Sequence, residues 1–285
     1  MKIGISLAPQ HLGKEKYKAL KSAGFDCLDF NLADTDALPY TLCDEEFNTY
    51  LDEERMAAEG EGITIHQVHG PWCWPIREVT PDGMKERLAS MKRCVFATAT
   101  LGAEYMVIHP IMPNGIKDRS NKFKSADTVE KNVLFMTELA SYAKTLGVTV
   151  CLENMPFPSF SISTPEEVAD IVYKVNSDSF KMCLDTGHAV IFEGWQPSVA
   201  IEKYPDIIKT LHVHDNRGTN DEHLLPLGNG IIDWKAFSSA LDKIGFNGVL
   251  SLECAPGKNL PIDIYTAFLG SYAKLCKYLT EMHLV

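Results

Sequence analysis

Residues 148–153 read Val148-Thr149-Val150-Cys151-Leu152-Glu153, a short strand-like run that ends on an ionisable side chain. The pattern recurs in Phe180-Lys181-Met182-Cys183-Leu184-Asp185, in Ile207-Ile208-Lys209-Thr210-Leu211-His212 and in Val249-Leu250-Ser251-Leu252-Glu253. Such a run is what an inward-facing position at the C-terminal end of a (β/α)8-barrel strand looks like. Two Glu, one Asp and one His make a hard, oxygen-rich set. It suits Mn²⁺, Mg²⁺, Co²⁺ or Zn²⁺ better than a metal that prefers thiolates. Four strands converging on one cation predict a metalloenzyme.

Outward from these runs, strand-like and helix-length segments alternate, which argues for parallel βα units. The predicted strands are Ile3–Leu7, Cys27–Phe30, Thr64–His69, Tyr105–His109, Thr149–Glu153, Lys181–Asp185, Ile208–His214 and Val249–Glu253. Predicted helices between them cover Lys14–Ala23, Glu45–Glu59, Pro81–Leu101, Ala126–Leu146, a segment opened by Thr164-Pro165-Glu166-Glu167, Trp195–Tyr204, Asp233–Ile244 and Asp263–Thr280. Thr164 is a good N-cap with Pro165 at the first helical position, and Gly102, Gly147 and Gly245 follow predicted helix ends. The first βα turn, Ala8-Pro9-Gln10-His11-Leu12-Gly13, lacks the Gly-rich fingerprint of an open doubly wound sheet. The expected fold is therefore a single (β/α)8 TIM barrel, one domain over residues 1–285.

Bulk composition bounds the partners. The chain has 285 residues, 45% of them hydrophobic, enough for one large core. Its 27 basic residues against 38 acidic ones give a net charge of -11. That surface repels phosphate backbones and anionic lipid, so neither nucleic acid nor membrane is expected as a partner. Acidic runs such as Asp44-Glu45-Glu46 read as solvated helix faces. The chain enters a strand at once and carries no long apolar stretch, which predicts a cytoplasmic protein. The eight cysteines show no CxxC spacing and read as small buried hydrophobes in a reducing compartment. Cys151 and Cys183 lie two residues before ionisable strand ends, so they point into the barrel one layer below.

Six histidines, His69, His109, His188, His212, His214 and His223, can be placed at one mouth together with carboxylates. Packing alone explains so much polarity poorly, because burying it without a partner is costly. The segments His69-Gly70-Pro71-Trp72, Val107-Ile108-His109-Pro110, Leu152-Glu153-Asn154, Leu184-Asp185-Thr186-Gly187-His188, Leu211-His212-Val213-His214-Asp215, Asp221-Glu222-His223-Leu224, Gly228-Asn229-Gly230-Ile231-Ile232-Asp233-Trp234 and Leu252-Glu253 resemble, in order and position, the xylose isomerase-like TIM-barrel superfamily. The resemblance is to its sugar-phosphate isomerase/epimerase branch and covers essentially the whole chain. It implies one divalent metal held by Glu153, Asp185, His212 and Glu253. His214, two residues from His212 and facing the same way, is the alternative imidazole; otherwise it lines the substrate pocket. The resemblance further assigns His69, His109, His188, Asp221 and His223 to the substrate pocket. It gives Arg217 a substrate hydroxyl, carboxylate or phosphate to hold. Trp72 and Trp74 are candidates for an apolar wall or for loop anchoring. Relatives are often dimers or tetramers, so a homo-oligomer is a weak expectation.

The implied activity is a metal-dependent isomerase or epimerase acting on a small sugar, sugar phosphate or related polyol. A carboxylate removes a proton beside a carbonyl, the cation stabilises the enediolate, and a carboxylate returns the proton. Glu153 and Glu253 are the candidates for this exchange, read as coming from opposite sides of the ring. A dehydratase of a keto-inositol or sugar acid could use the same site. The apurinic endonucleases of the superfamily hold three zinc ions, and His69, His109, His188, Asp221 and His223 leave additional zinc open here, against the acidic charge. The segment Met112–Lys124 carries Lys117, Arg119, Lys122 and Lys124, a candidate contact for an anionic substrate or a solvated loop.

Overall fold

The computed structural model describes residues 1–9, 13–34, 38–72, 76–257 and 259–284. Its strands are β1 (Lys2–Leu7), β2 (Cys27–Asn31), β3 (Thr64–His69), β4 (Tyr105–Ile108), β5 (Thr149–Glu153), β6 (Phe180–Asp185), β7 (Ile208–His212) and β8 (Val249–Leu252). All are parallel, in the order β7-β6-β5-β4-β3-β2-β1-β8. The helices are α1 (Lys16–Ala23), α2 (Leu38–Thr41), α3 (Asp44–Gly60), α4 (Pro81–Thr100), α5 (Lys122–Thr145), α6 (Pro165–Val175), α7 (Thr186–Ala189), α8 (Pro197–Lys203), α9 (Trp234–Lys243) and α10 (Ile262–Glu281). This is the expected (β/α)8 barrel. Strand side chains such as Leu28, Val68, Met106, Leu152, Leu184 and Leu250 face the helices and form the continuous core.

The ring closes just beyond β7. Val213 donates its N–H to Ser251 O at 2.8 Å and accepts from the Glu253 N–H at 3.0 Å. Closure of the barrel therefore lies between the end of β7 and the end of β8.

Two register slips decide which residues face inward. Between β2 and β3 the ladder shifts at Leu28/Asp29, so that Asp29 stands opposite Gln67 and Asn31 opposite His69. Between β6 and β7 it shifts at Met182/Cys183, so that Cys183 faces Thr210 and Asp185 faces His212. Side chains alternate with period two, so a one-residue slip moves the rest of a strand to the other face. The slips turn Gln67, His69, Thr210 and His212 into the barrel.

Helix ends follow the sequence signals. Thr164 accepts from the Glu167 N–H, and the Glu167 side chain reaches back to the Thr164 N–H, completing a capping box with Pro165 behind it. α5 starts at Lys122, earlier than expected, because Asn121 caps it through the N–H groups of Phe123 and Lys124. Lys122 and Lys124 thus belong to a helix and not to a mouth loop. Among the described residues, no helix is long and apolar enough to cross a membrane.

Candidate metal centre

The strand ends bring Glu153, Asp185, His212 and Glu253 together, each offering a ligand atom within 4.8 Å of the others. His212 Nδ1 lies 3.2 Å from Glu153 Oε1 and 3.3 Å from Glu253 Oε2. Glu153 and Asp185 are buried, His212 is completely so, and Glu253 is nearly so. Strands β6 and β7 separate β5 from β8, so the two glutamates meet three strands apart across the mouth rather than diametrically.

Several polar atoms of this cluster lack hydrogen-bond partners among the described residues. Glu153 Oε2, Glu253 Oε2 and His212 Nδ1 are buried yet form no hydrogen bond among the described residues. Leaving buried acceptors unsatisfied costs on the order of 1–3 kcal/mol each, more for charged groups. Burial and the neighbouring Glu153 push the Glu253 carboxyl above its usual range, against the pull of His212. Burial acts the same way on Glu153, but His212 and His109 hold it well below the carboxylate range. Hard oxygens plus one imidazole, converging with unshared lone pairs, fit a divalent cation.

Asp185 differs because both its oxygens are already engaged. Oδ1 accepts from the His188 N–H at 2.6 Å, capping α7, and Oδ2 lies 2.9 Å from His214 Nε2. Asn154 locks the strand end, donating to Asp185 O and accepting from Asp185 N–H at 3.0 and 2.8 Å. His214 sits fully buried behind Asp185, and Thr186 Oγ1 donates to its carbonyl at 2.7 Å. Gly187 permits this approach, since a Cβ there would fall 2.1 Å from the His214 ring. Of the two imidazoles that sequence left open, the structure puts His212 among the three carboxylates and His214 beside Asp185, stacked on His223 at 4.1 Å.

The remaining predicted residues form two flanking groups. His69 and His109 reach Glu153 Oε2 with their Nε2 atoms at 3.7 and 3.3 Å. On the other side, Asp221 Oδ1 takes both His188 Nε2 and His223 Nε2 at 3.1 Å. Burial opposes charge on His188, but Asp185, Asp221 and Glu153 raise it to about 9. His223 is raised to about 10 against burial, by Asp221 and then Glu253 and Asp185. Trp72 packs edge-on against His109 at 4.8 Å and continues into Met112, Met155, Phe160 and Ile76, an apolar wall on one side of the mouth. Trp74 lies outside the described residues.

Two predicted cationic contacts are committed elsewhere. Arg217 Nη1 pairs with Glu222 at 2.6 Å within its own loop. Arg119 binds Glu167 at 2.7 Å and Phe160 O at 2.7 Å. With Lys122 it lines a groove of about 780 Å³ along α5, away from the carboxylates.

Sequence reasoning missed Asp29. Its Oδ2 lies 3.1 Å from His212 Nε2, 2.9 Å from Gln67 Nε2 and 3.4 Å from Ser251 Oγ. The signal was present: a carboxylate within the apolar run Cys27-Leu28-Asp29-Phe30 must have a partner to be buried there.

Comparison with known proteins identifies the family and the fold. The family described as xylose isomerase-like TIM barrel matches residues 17–266. An uncharacterized protein of Methanocaldococcus jannaschii, MJ1311, is 30% identical over 72% of this chain and 68% of its own length. Inosose isomerase of Bacillus velezensis is 28% identical over 60% of each chain, so the match spans well under two thirds of that enzyme. Ketose 3-epimerases occur among the further relatives and structural neighbours. The solved structure titled IOLI protein with a binding zinc atom superposes with a TM-score of 0.73 over 99% of this chain and 97% of its own, at 23% identity. Matched over most of its length, the chain belongs to the xylose isomerase-like TIM-barrel family.

Proposed function

We propose that the protein is a divalent-metal-dependent isomerase or epimerase acting on a small sugar, sugar phosphate or related polyol. One observation carries this reading: Glu153, Asp185, His212 and Glu253 converge from four consecutive strands, and atoms of Glu153, His212 and Glu253 with no hydrogen-bond partner among the described residues turn toward one another. The zinc-bearing structural neighbour and the isomerase and epimerase relatives support it.

Glu153, Asp185, His212 and Glu253 would hold the cation, whose charge stabilises oxyanions developing on a carbonyl and its adjacent hydroxyl. Glu153 and Glu253, facing each other across the mouth, exchange the proton on carbon, one removing it and the other, or the same one, returning it. Two-face exchange inverts a centre; single-face exchange moves the carbonyl. Asp185 is oriented by the His188 N–H and His214. His188, whose Nδ1 is held by Asn154 O at 2.8 Å and whose Nε2 lies 3.1 Å from Asp221, would meet a substrate hydroxyl at Nε2 in place of Asp221. The wall of Trp72, Met112 and Phe160 excludes water and offers a carbon-rich ring face a surface.

A second reading rests on the flanking groups. His69 and His109 join Glu153 in one further constellation, and His188, His214 and His223 form another beside Asp221. Extra zinc at these positions would suit phosphoester hydrolysis. The test is elemental analysis of protein purified without chelator, with turnover assayed on ketoses, keto-inositols and their phosphates after Mn²⁺ or Co²⁺ addition. About one metal per chain with isomer exchange, within the one-cation logic of four ligands, supports the first reading. Water loss from a keto-inositol would recast the same site as a dehydratase. Several zinc ions per chain with phosphoester cleavage and no sugar turnover favours the second.

A further inference from the structure

We propose that Asp29 is a positioning residue of this centre, accepting the Nε2 proton of His212 and so fixing the tautomer and ring rotation that aim Nδ1 at the cation. The inference rests on the metal-dependent reading above.

A carboxylate can only accept, so the 3.1 Å contact to Asp29 Oδ2 requires the proton on His212 Nε2. The Nδ1 lone pair is then left free, and Nδ1 is the atom that faces Glu153 and Glu253 without a hydrogen bond. His69 stacks on the His212 ring at 5.4 Å and 8°, which limits tilting but not the choice of tautomer. That choice falls to Asp29.

Packing does not explain Asp29. It is 1% exposed, and its Oδ1 has no hydrogen-bond partner among the described residues. A buried charge with one idle oxygen costs stability, and an apolar side chain of similar size would fill the layer at less cost. Among the described residues its hydrogen bonds run through Oδ2, steadied by Gln67 Nε2 and Ser251 Oγ. The slip between β2 and β3 sets Gln67 opposite Asp29, and the slip between β6 and β7 turns His212 inward. Both irregularities thus serve one contact between residues three strands apart across the ring. Carboxylates that hold a ligating imidazole in this way influence metal affinity, and their loss typically costs 10–100-fold.

The experiment compares the full-length wild type with Asp29→Asn and Asp29→Ala. Zn²⁺ affinity of the metal-free proteins is measured by competition with a chromophoric chelator, their metal-free melting temperatures are recorded, and visible spectra are taken after Co²⁺ loading. Asp29→Ala is expected to weaken Zn²⁺ binding by about 10–100-fold and to alter the Co²⁺ bands. Asp29→Asn, which keeps an acceptor of the same shape, should lose less. Wild-type affinity and spectrum in both variants overturn the proposal, as does a fall in melting temperature with affinity and spectrum unchanged, which is the outcome of a merely structural role. If Asp29→Ala does not fold, Asp29→Asn decides by the same criteria. Wild-type protein that takes up no Zn²⁺ or Co²⁺ overturns the metal reading and this inference together. Wild-type binding with unaffected variants overturns the inference alone.

Discussion

Two layers of the barrel interior lie two residues apart on the same strands, yet their chemistry is opposed. The mouth layer holds Glu153, Asp185, His212, Glu253, His69 and His109. One step down stand Cys151, Cys183, Thr210, Ser251, Gln67 and Val107. On β4, β5 and β6 this lower layer is a dry cluster in which Val107, Cys151 and Cys183 touch, and burial pushes the Cys151 thiol up to about 12. Under His212 it is polar instead, with Gln67 and Ser251 gathered on Asp29. The lower layer is therefore apolar where it only fills space and polar where it supports an imidazole. The mouth should serve activity at the expense of stability, and the dry cluster should do the reverse.

The sharpest way to break that contrast is at the glutamates. Glu153→Gln and Glu253→Gln should each lower turnover by about 10²–10⁴-fold, the range for a lost general acid or base, with the fold retained by circular dichroism. Near wild-type turnover in either variant would end the two-carboxylate mechanism. Chelation comes next. Removing the cation should abolish activity and lower the melting temperature, because a ligand at a hundred times its Kd stabilises the folded state by about 2.7 kcal/mol. Mn²⁺ or Co²⁺ should restore both, and a melting curve indifferent to chelator would contradict the site.

Below the mouth the expected sign reverses. Cys151→Ala and Cys183→Ala should each cost about 1 kcal/mol through a small cavity, read by urea denaturation, with turnover per folded molecule unchanged. The pair touches, so the double variant should depart from additivity. A large loss of activity there would erase the distinction between layers.

The smallest effect concerns pH in the metal-free protein. The Glu253 carboxyl is raised by burial and by Glu153. A raised carboxyl favours the folded state below its unfolded value near 4.5, and that contribution is lost as pH rises through the folded value. Metal-free Glu253→Gln should therefore melt slightly above the metal-free wild type at neutral pH. The difference should close as pH falls from the raised folded value to about 4.5. A wild type that melts higher at neutral pH would show that Glu253 is already compensated.

Much of this organisation was legible before any coordinates. Each strand announced itself by an apolar run, and the two-residue alternation that paired Glu153 with Cys151 and Asp185 with Cys183 is a property of extended chain. What was not legible depended on register. His212 and His214 share a face by spacing, and only the end of β7 at His212, with the chain then carried to Asp185, separates their surroundings. The slips at Leu28/Asp29 and Met182/Cys183 arise from pairing between strands and leave no local trace. Arg217 and Arg119 were open to substrate by composition, but Glu222 and Glu167, near in space, engage them first.

The bonds that close the ring join Val213, the chain neighbour of His212, to Ser251 and to Glu253 itself. Anything that draws His212 and Glu253 together also presses this seam shut. The backbone amides of Val213 and Glu253 then become built-in reporters of occupancy. Their hydrogen–deuterium exchange should slow when the centre is filled, while amides in the middle of β4 keep their rate.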